Sequence, residues 1–123
     1  MAEAFLRKLA GDKFVVYSAG VNPLPINNCT KKVMKELGYD LQDHFAKNYK
    51  KYIETKKVDI IITLSNRAEK KCKKIPEFKE RLNWSFIDPG PCRKLSIDEI
   101  TKYRNVRDQI LEKIKNWIKE DPN

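Results

Sequence analysis

The run VDIIITLS at residues 58–65 decides the fold. Its Ile60–Ile61–Ile62 centre lacks the apolar–polar alternation of a strand with one wet face, and its β-branched side chains favour an extended backbone. A run of this kind belongs to a parallel sheet covered on both faces by helices, near the middle of that sheet. The next segment agrees with that placement: NRAEKKCKKIP at 66–76 reads as a short helix stopped before Pro76.

Working outward, LNWSFIDPGP at 82–91 is a second buried strand that ends abruptly in a turn. SIDEITKYRNVRDQILEKIKNWIKE at 96–120 is a long helix. Ser96 and Glu99 form a capping box at its start, and Ile100, Tyr103, Val106, Ile110, Ile114, Trp117 and Ile118 form its buried stripe. Upstream, residues 2–10 have helical periodicity, with Gly11 expected as a left-handed stop. KFVVYSAG at 13–20 reads as a strand and GVNPLPINN at 20–28 as a loop. NNCTKKVMKELGYD at 27–40 is a helix with Cys29, Val33, Met34 and Leu37 inward and Gly38 as its stop, and Asp40 to Lys57 is polar and weakly periodic. Helices and strands alternate throughout, which predicts an α/β protein with a parallel sheet and helices on both faces, in one domain over residues 1–123.

Composition narrows the function classes. The chain carries 26 Lys and Arg against 17 Asp and Glu, a formal charge of +9 that attracts anions. The lysines are spread along the chain without the interleaved aromatics of a base-stacking surface, so they read as solvated helix faces and nucleic acid is not the expected partner. No segment reaches the roughly 20 apolar residues of a membrane span, and no signal peptide is read, which makes a cytoplasmic protein the expectation. Three widely spaced cysteines and one histidine, His44, argue against a zinc site and against a secreted disulfide framework.

In a parallel sheet, ligands bind beyond the carboxyl ends of the strands. YSAG, TLSN and FIDPG should open on that edge. Asp88 has two readings there: a carboxylic acid able to protonate a leaving oxygen, or the first residue of an Asp-Pro-Gly turn. Cys72, among lysines, reads equally as a small half-buried hydrophobe, and Cys29 reads as core.

MAEAF (1–5), YSAG (17–20), VDIIITLS (58–65), WSFIDPG (84–90) and YRNVRDQILEKIK (103–115), in this order, resemble the family of low-molecular-weight protein tyrosine phosphatases and thioredoxin-coupled arsenate reductases. The resemblance covers nearly the whole chain and implies a flavodoxin-like sheet. In that family the segment matching MAEAF directly follows a strand and a phosphate loop of pattern C-x-x-x-x-x-R-S, about 15 residues in all. The loop cysteine is the nucleophile and its arginine holds the oxyanion, on backbone N–H groups at a helix start. Residues 1–123 contain no such pattern, and the helix at 2–10 has no Ser, Thr, Asp or Asn cap. The expectation is a sheet with its first strand missing and a chain inactive as given, which rearranges its sheet, self-associates to complete it, or is poorly stable.

The same resemblance assigns roles. Asp88 matches the general acid, and Cys72 the last cysteine of the reductases' disulfide relay. Ser65 stands where the intermediate relay cysteine falls, with Cys92 as a candidate replacement, while Gly90 and Pro91 stand where phosphatases often carry a tyrosine. Ser18, Ser65 and Asn66 would line the oxyanion edge. Glu3 and Ser18 match two ligand positions of a potassium ion, against plainer readings as a first-turn carboxylate and a turn hydroxyl. The implied substrate is a small oxyanion or a phosphorylated protein, with thioredoxin or another thiol reductant as partner in a reductase and no further cofactor. A second reading is a non-catalytic basic module that binds an acidic partner or nucleic acid.

Overall fold

A computed structural model describes residues 1–19, 26–41, 58–72 and 80–120, the side chains of 71 and 72 excepted. The expected loop at 20–25, most of the polar stretch after Asp40 with His44, and the stop at Pro76 lie outside these residues. The described elements, in chain order, are α1 (Ala2–Ala10), α2 (Asn28–Glu36), β1 (Ile60–Thr63), α3 (Asn66–Cys72), β2 (Glu80–Asn83) and α4 (Ile97–Glu120). They fall into two compact units, one holding α1, α2 and α4, the other β1, α3 and β2.

In the helical unit, α4 packs against both α1 and α2. α1 buries Ala4, Phe5 and Ala10, and the Phe5 ring meets Tyr39 edge-on at 5.0 Å between centroids. α2 starts at Asn27, whose side chain accepts from Thr30 N–H at 2.9 Å. It ends as expected at Gly38, whose φ of +85° is open to glycine without strain. There Gly38 N–H donates to the Lys35 carbonyl and Tyr39 N–H to the Met34 carbonyl, closing a Schellman motif. The capping box of α4 is also present, with Glu99 N–H donating to Ser96 Oγ at 3.2 Å and Ser96 N–H to Glu99 Oε1 at 3.0 Å.

Several expectations are overturned. Residues 13–19 are not a strand: the Val16 carbonyl accepts from Arg7 Nη2 at 2.6 Å instead of from a ladder partner, although the extended chain keeps Val16 in and Val15 and Tyr17 out. Gly11 is right-handed, at φ −65°, and glycine is needed for a different reason, since a Cβ would lie 2.2 Å from the Arg7 carbonyl oxygen. Leu37 is exposed because it falls in the turn that ends α2. On α4 the stripe is Ile100, Tyr103, Arg107, Ile110 and Ile114, while Val106, Trp117 and Ile118 are half-buried. Position 107 lies between 103 and 110 on the same helical face, and its charge hid it from an apolar pattern. Trp117 still packs, stacked on Phe14 at 5.3 Å.

In the second unit β1 and β2 pair in parallel, with Ile60 opposite Glu80 and Thr63 opposite Asn83. The second strand begins and ends earlier than its apolar run suggests. Beyond it, Trp84 N–H still donates to the Thr63 carbonyl at 2.8 Å and Phe86 N–H to the Leu64 carbonyl at 3.2 Å, before Ile87 turns out to solvent. Ile60–Ile62 are half-buried, not enclosed, since β1 has one sheet neighbour among the described residues. No described helix is long and apolar enough to cross a membrane.

Candidate functional site

The parallel pair delivers two loops to one edge. Past the carboxyl end of β1 come Leu64, Ser65 and Asn66; past that of β2 come residues 84–88. Ser65 caps α3, its Oγ accepting from Ala68 N–H at 3.1 Å and its carbonyl from Glu69 N–H at 3.0 Å. Thr63, buried at the end of β1, donates through Oγ1 to Glu69 Oε2 at 2.6 Å and so fixes α3 on the strand before it. Ser85 Oγ donates to Asn66 Oδ1 at 2.8 Å and ties the two loops together. Three residues later, Asp88 stands exposed at the end of the β2 loop.

The turn reading of Asp88 has support in the backbone. Gly90 has φ +87°, the conformation an Asp-Pro-Gly turn requires. Cys72 is the last residue of α3. By helical rise the seven-residue span from Ser65 to Cys72 is about 10 Å, so a disulfide between these two positions requires the backbone of α3 to move.

Glu3 and Ser18 meet within the helical unit. Ser18 Oγ donates to Glu3 Oε1, while Glu3 Oε2 pairs with Arg7 Nη1 at 3.3 Å. Oxygen donors suit a hard cation. The Arg7 guanidinium, however, already supplies the positive charge that this nearly buried carboxylate needs, which works against a potassium ion here. Among the described residues no cluster of three or more His, Cys, Asp or Glu could hold a metal.

The cysteines depart from expectation. Cys29 is fully buried, as a core residue should be, but it is joined to Cys92 by a disulfide across 63 positions, with Cα atoms 5.9 Å apart. Cys92, the candidate replacement for Ser65, is thus bonded to Cys29. Beside it, Tyr103 Oη donates to the Gly90 carbonyl at 2.6 Å and accepts from Asn27 Nδ2 at 2.9 Å. This anchoring of the turn after Asp88 was missed by sequence reasoning, which saw Tyr103 as a core position, and no spacing rule links residues so far apart.

A family model for the low molecular weight phosphotyrosine protein phosphatase matches residues 1–121. The chain belongs to that family. Within the phosphatase family its curated relatives include an arsenate reductase of Halalkalibacterium halodurans, 33% identical over 117 residues, covering 95% of this chain and 84% of the relative. The arsenate reductase of Oceanobacillus iheyensis is 32% identical over 119 residues, covering 97% and 85%, and that of Bacillus subtilis is 30% identical over 117 residues, covering 95% and 84%. Among solved structures, an arsenate reductase in its reduced state superposes with a TM-score of 0.68 at 20% identity, over 97% of this chain and 86% of that one. At that identity the superposition speaks for the shared phosphatase-family α/β fold alone.

Proposed function

We propose that this chain is the body of an arsenate reductase, acting in the cytoplasm on a small oxyanion with a thioredoxin-type dithiol as reductant. The observation that carries the reading is the common edge beyond β1 and β2, where the Ser65–Asn66 loop and the Asp88 loop are joined by the Ser85–Asn66 hydrogen bond. The arsenate reductase relatives favour a reductase over a phosphatase.

In this mechanism Asp88 gives a proton to the oxygen that leaves the oxyanion, so that the departing group is water or an alcohol instead of a strongly basic anion. The nucleophile is a cysteine thiolate in a C-x-x-x-x-x-R-S loop, a pattern that residues 1–123 do not contain, and the family resemblance puts that loop directly before the segment matching MAEAF. Ser65 and Asn66 present a hydroxyl and an amide to the same edge, and Cys72 serves as a relay thiol.

The test compares residues 1–123 with the chain extended by whatever the coding DNA encodes in frame upstream of Met1. Dithiol-dependent reduction of arsenate by the extended chain, absent from residues 1–123 and strongly reduced by Asp88→Asn, is the expected result. Turnover by residues 1–123 alone, or an extended chain indifferent to Asp88→Asn, overturns the proposal. Salt-dependent binding of an acidic partner that survives replacement of both Asp88 and Cys72 would favour the basic binding module instead.

A further inference from the structure

Cys29 and Cys92 are bonded in a setting that treats the two sulfurs unequally. Cys29 is the second residue of α2, and its backbone N–H is one of the donors that a helix start leaves without a helical partner. That N–H donates to Cys92 Sγ at 3.1 Å. Cys29 itself is completely buried, with Val33, Ile100 and Tyr103 around it, whereas Cys92 is half-exposed on the segment that leaves the Asp88 turn. Of the two residues, only Cys92 has surface open to an incoming thiolate.

We propose that Cys29 and Cys92 form a thiol–disulfide exchange site, distinct from the Cys72 relay position, with Cys92 as the reacting sulfur, Cys29 as the resolving one, and a dithiol as co-reactant. A thiolate of the dithiol attacks Cys92 Sγ, the Sγ–Sγ bond breaks, and Cys29 leaves as a thiolate and takes a proton. The second thiol of the co-reactant then attacks its own bonded sulfur and releases Cys92 as a thiolate, which the Cys29 N–H holds until it is protonated. The chain gains two electrons and two protons, and the dithiol becomes a disulfide.

Reduction leaves the sulfurs close together. The Tyr103–Gly90 and Asn27–Tyr103 hydrogen bonds keep the segment against the start of α2 without the disulfide, so the pair is poised to close again.

The experiment is site-resolved alkylation of the native chain with iodoacetamide at pH 7, before and after dithiothreitol, read by peptide mass mapping. Cys29 and Cys92 should be unlabelled before reduction; after it, Cys92 should be labelled at least about tenfold faster than Cys29. With Cys29→Ser, oxidised glutathione should give a lasting mixed disulfide on Cys92, while Cys92→Ser should give none on Cys29. Labelling of both before reduction, a pair that opens only in denaturant, or equal rates after reduction each overturn the proposal. The wild-type rates decide the matter even if a variant fails to fold.

Discussion

Arg107 and Glu36 are joined across the packing of α4 on α2, Arg107 Nη1 lying 2.8 Å from Glu36 Oε1. The same nitrogen donates to the Val33 carbonyl at 2.9 Å, and Nε to Asp108 Oδ1 at 2.9 Å. Arg107 is 8% exposed, so its charge is tolerated because its donors are taken.

Arg107→Ala should therefore cost about 2–3 kcal/mol, from lost packing at a core position and from taking the Arg107 donor away from the buried Val33 carbonyl. Arg104, on the same Glu36 carboxylate at 2.5 Å but far more exposed, should cost clearly less than Arg107 on replacement by Ala. Urea midpoints of the two variants measure this. Equal losses would mean that burial of Arg107 is not what gives the contact its strength.

Acid should remove a defined share of stability. Hydrogen bonds from Arg104, and next from Arg107, hold the Glu36 carboxyl at about 2, and the backbone N–H of Arg93, with those of Ser96 and Lys94, holds Glu99 at about 2. Both values lie below the ordinary 4.5, so folding favours the charged forms. The stabilisation is complete above pH 4.5 and drains away as pH falls toward 2. Thermal melts from pH 7 to pH 2 should show that limb, and Glu36→Gln with Glu99→Gln should flatten it. An unchanged limb in the double variant would place the acid sensitivity elsewhere.

Gly38→Ala should destabilise the chain by about 1 kcal/mol, because an alanine at φ +85° carries the left-handed penalty, and Gly38→Asn should cost less. Open space surrounds a Cβ there, so conformation alone sets the loss. A loss of several kcal/mol on denaturant unfolding would mean that packing dominates.

In an active, upstream-extended chain Asp88→Asn should lower turnover by about 10²–10⁴-fold. Ser65→Cys should raise dithiol-dependent arsenate turnover, since it restores the missing relay thiol, while loss of the Ser65 cap costs about 1 kcal/mol. Paired rate and stability measurements on each variant separate the two effects. Unchanged turnover in Ser65→Cys would rule out Ser65 as the limiting gap in the relay.

The elements that were legible in the sequence are those decided locally. The Ile60–Ile62 run, the Ser96–Glu99 box and the stop at Gly38 each act within a few residues, and each is found where the sequence puts it. The strand expected at 13–20 failed because strand formation needs a neighbour, and Arg7 took the Val16 carbonyl. Of the candidate site, the parallel topology pointed to the edge where the Ser65–Asn66 loop meets the loop after β2.

The sequence by itself determined the α/β class, the family, the start of α4 and the stop of α2, because periodicity, caps and motif order are local properties of a chain. The tertiary structure alone decided that Cys29 meets Cys92, that Tyr103 holds Gly90, and that a charged residue fills a core position at 107. Those contacts join residues between 13 and 74 positions apart. Their formation depends on how α2 and α4 pack, and no local propensity encodes such a distance.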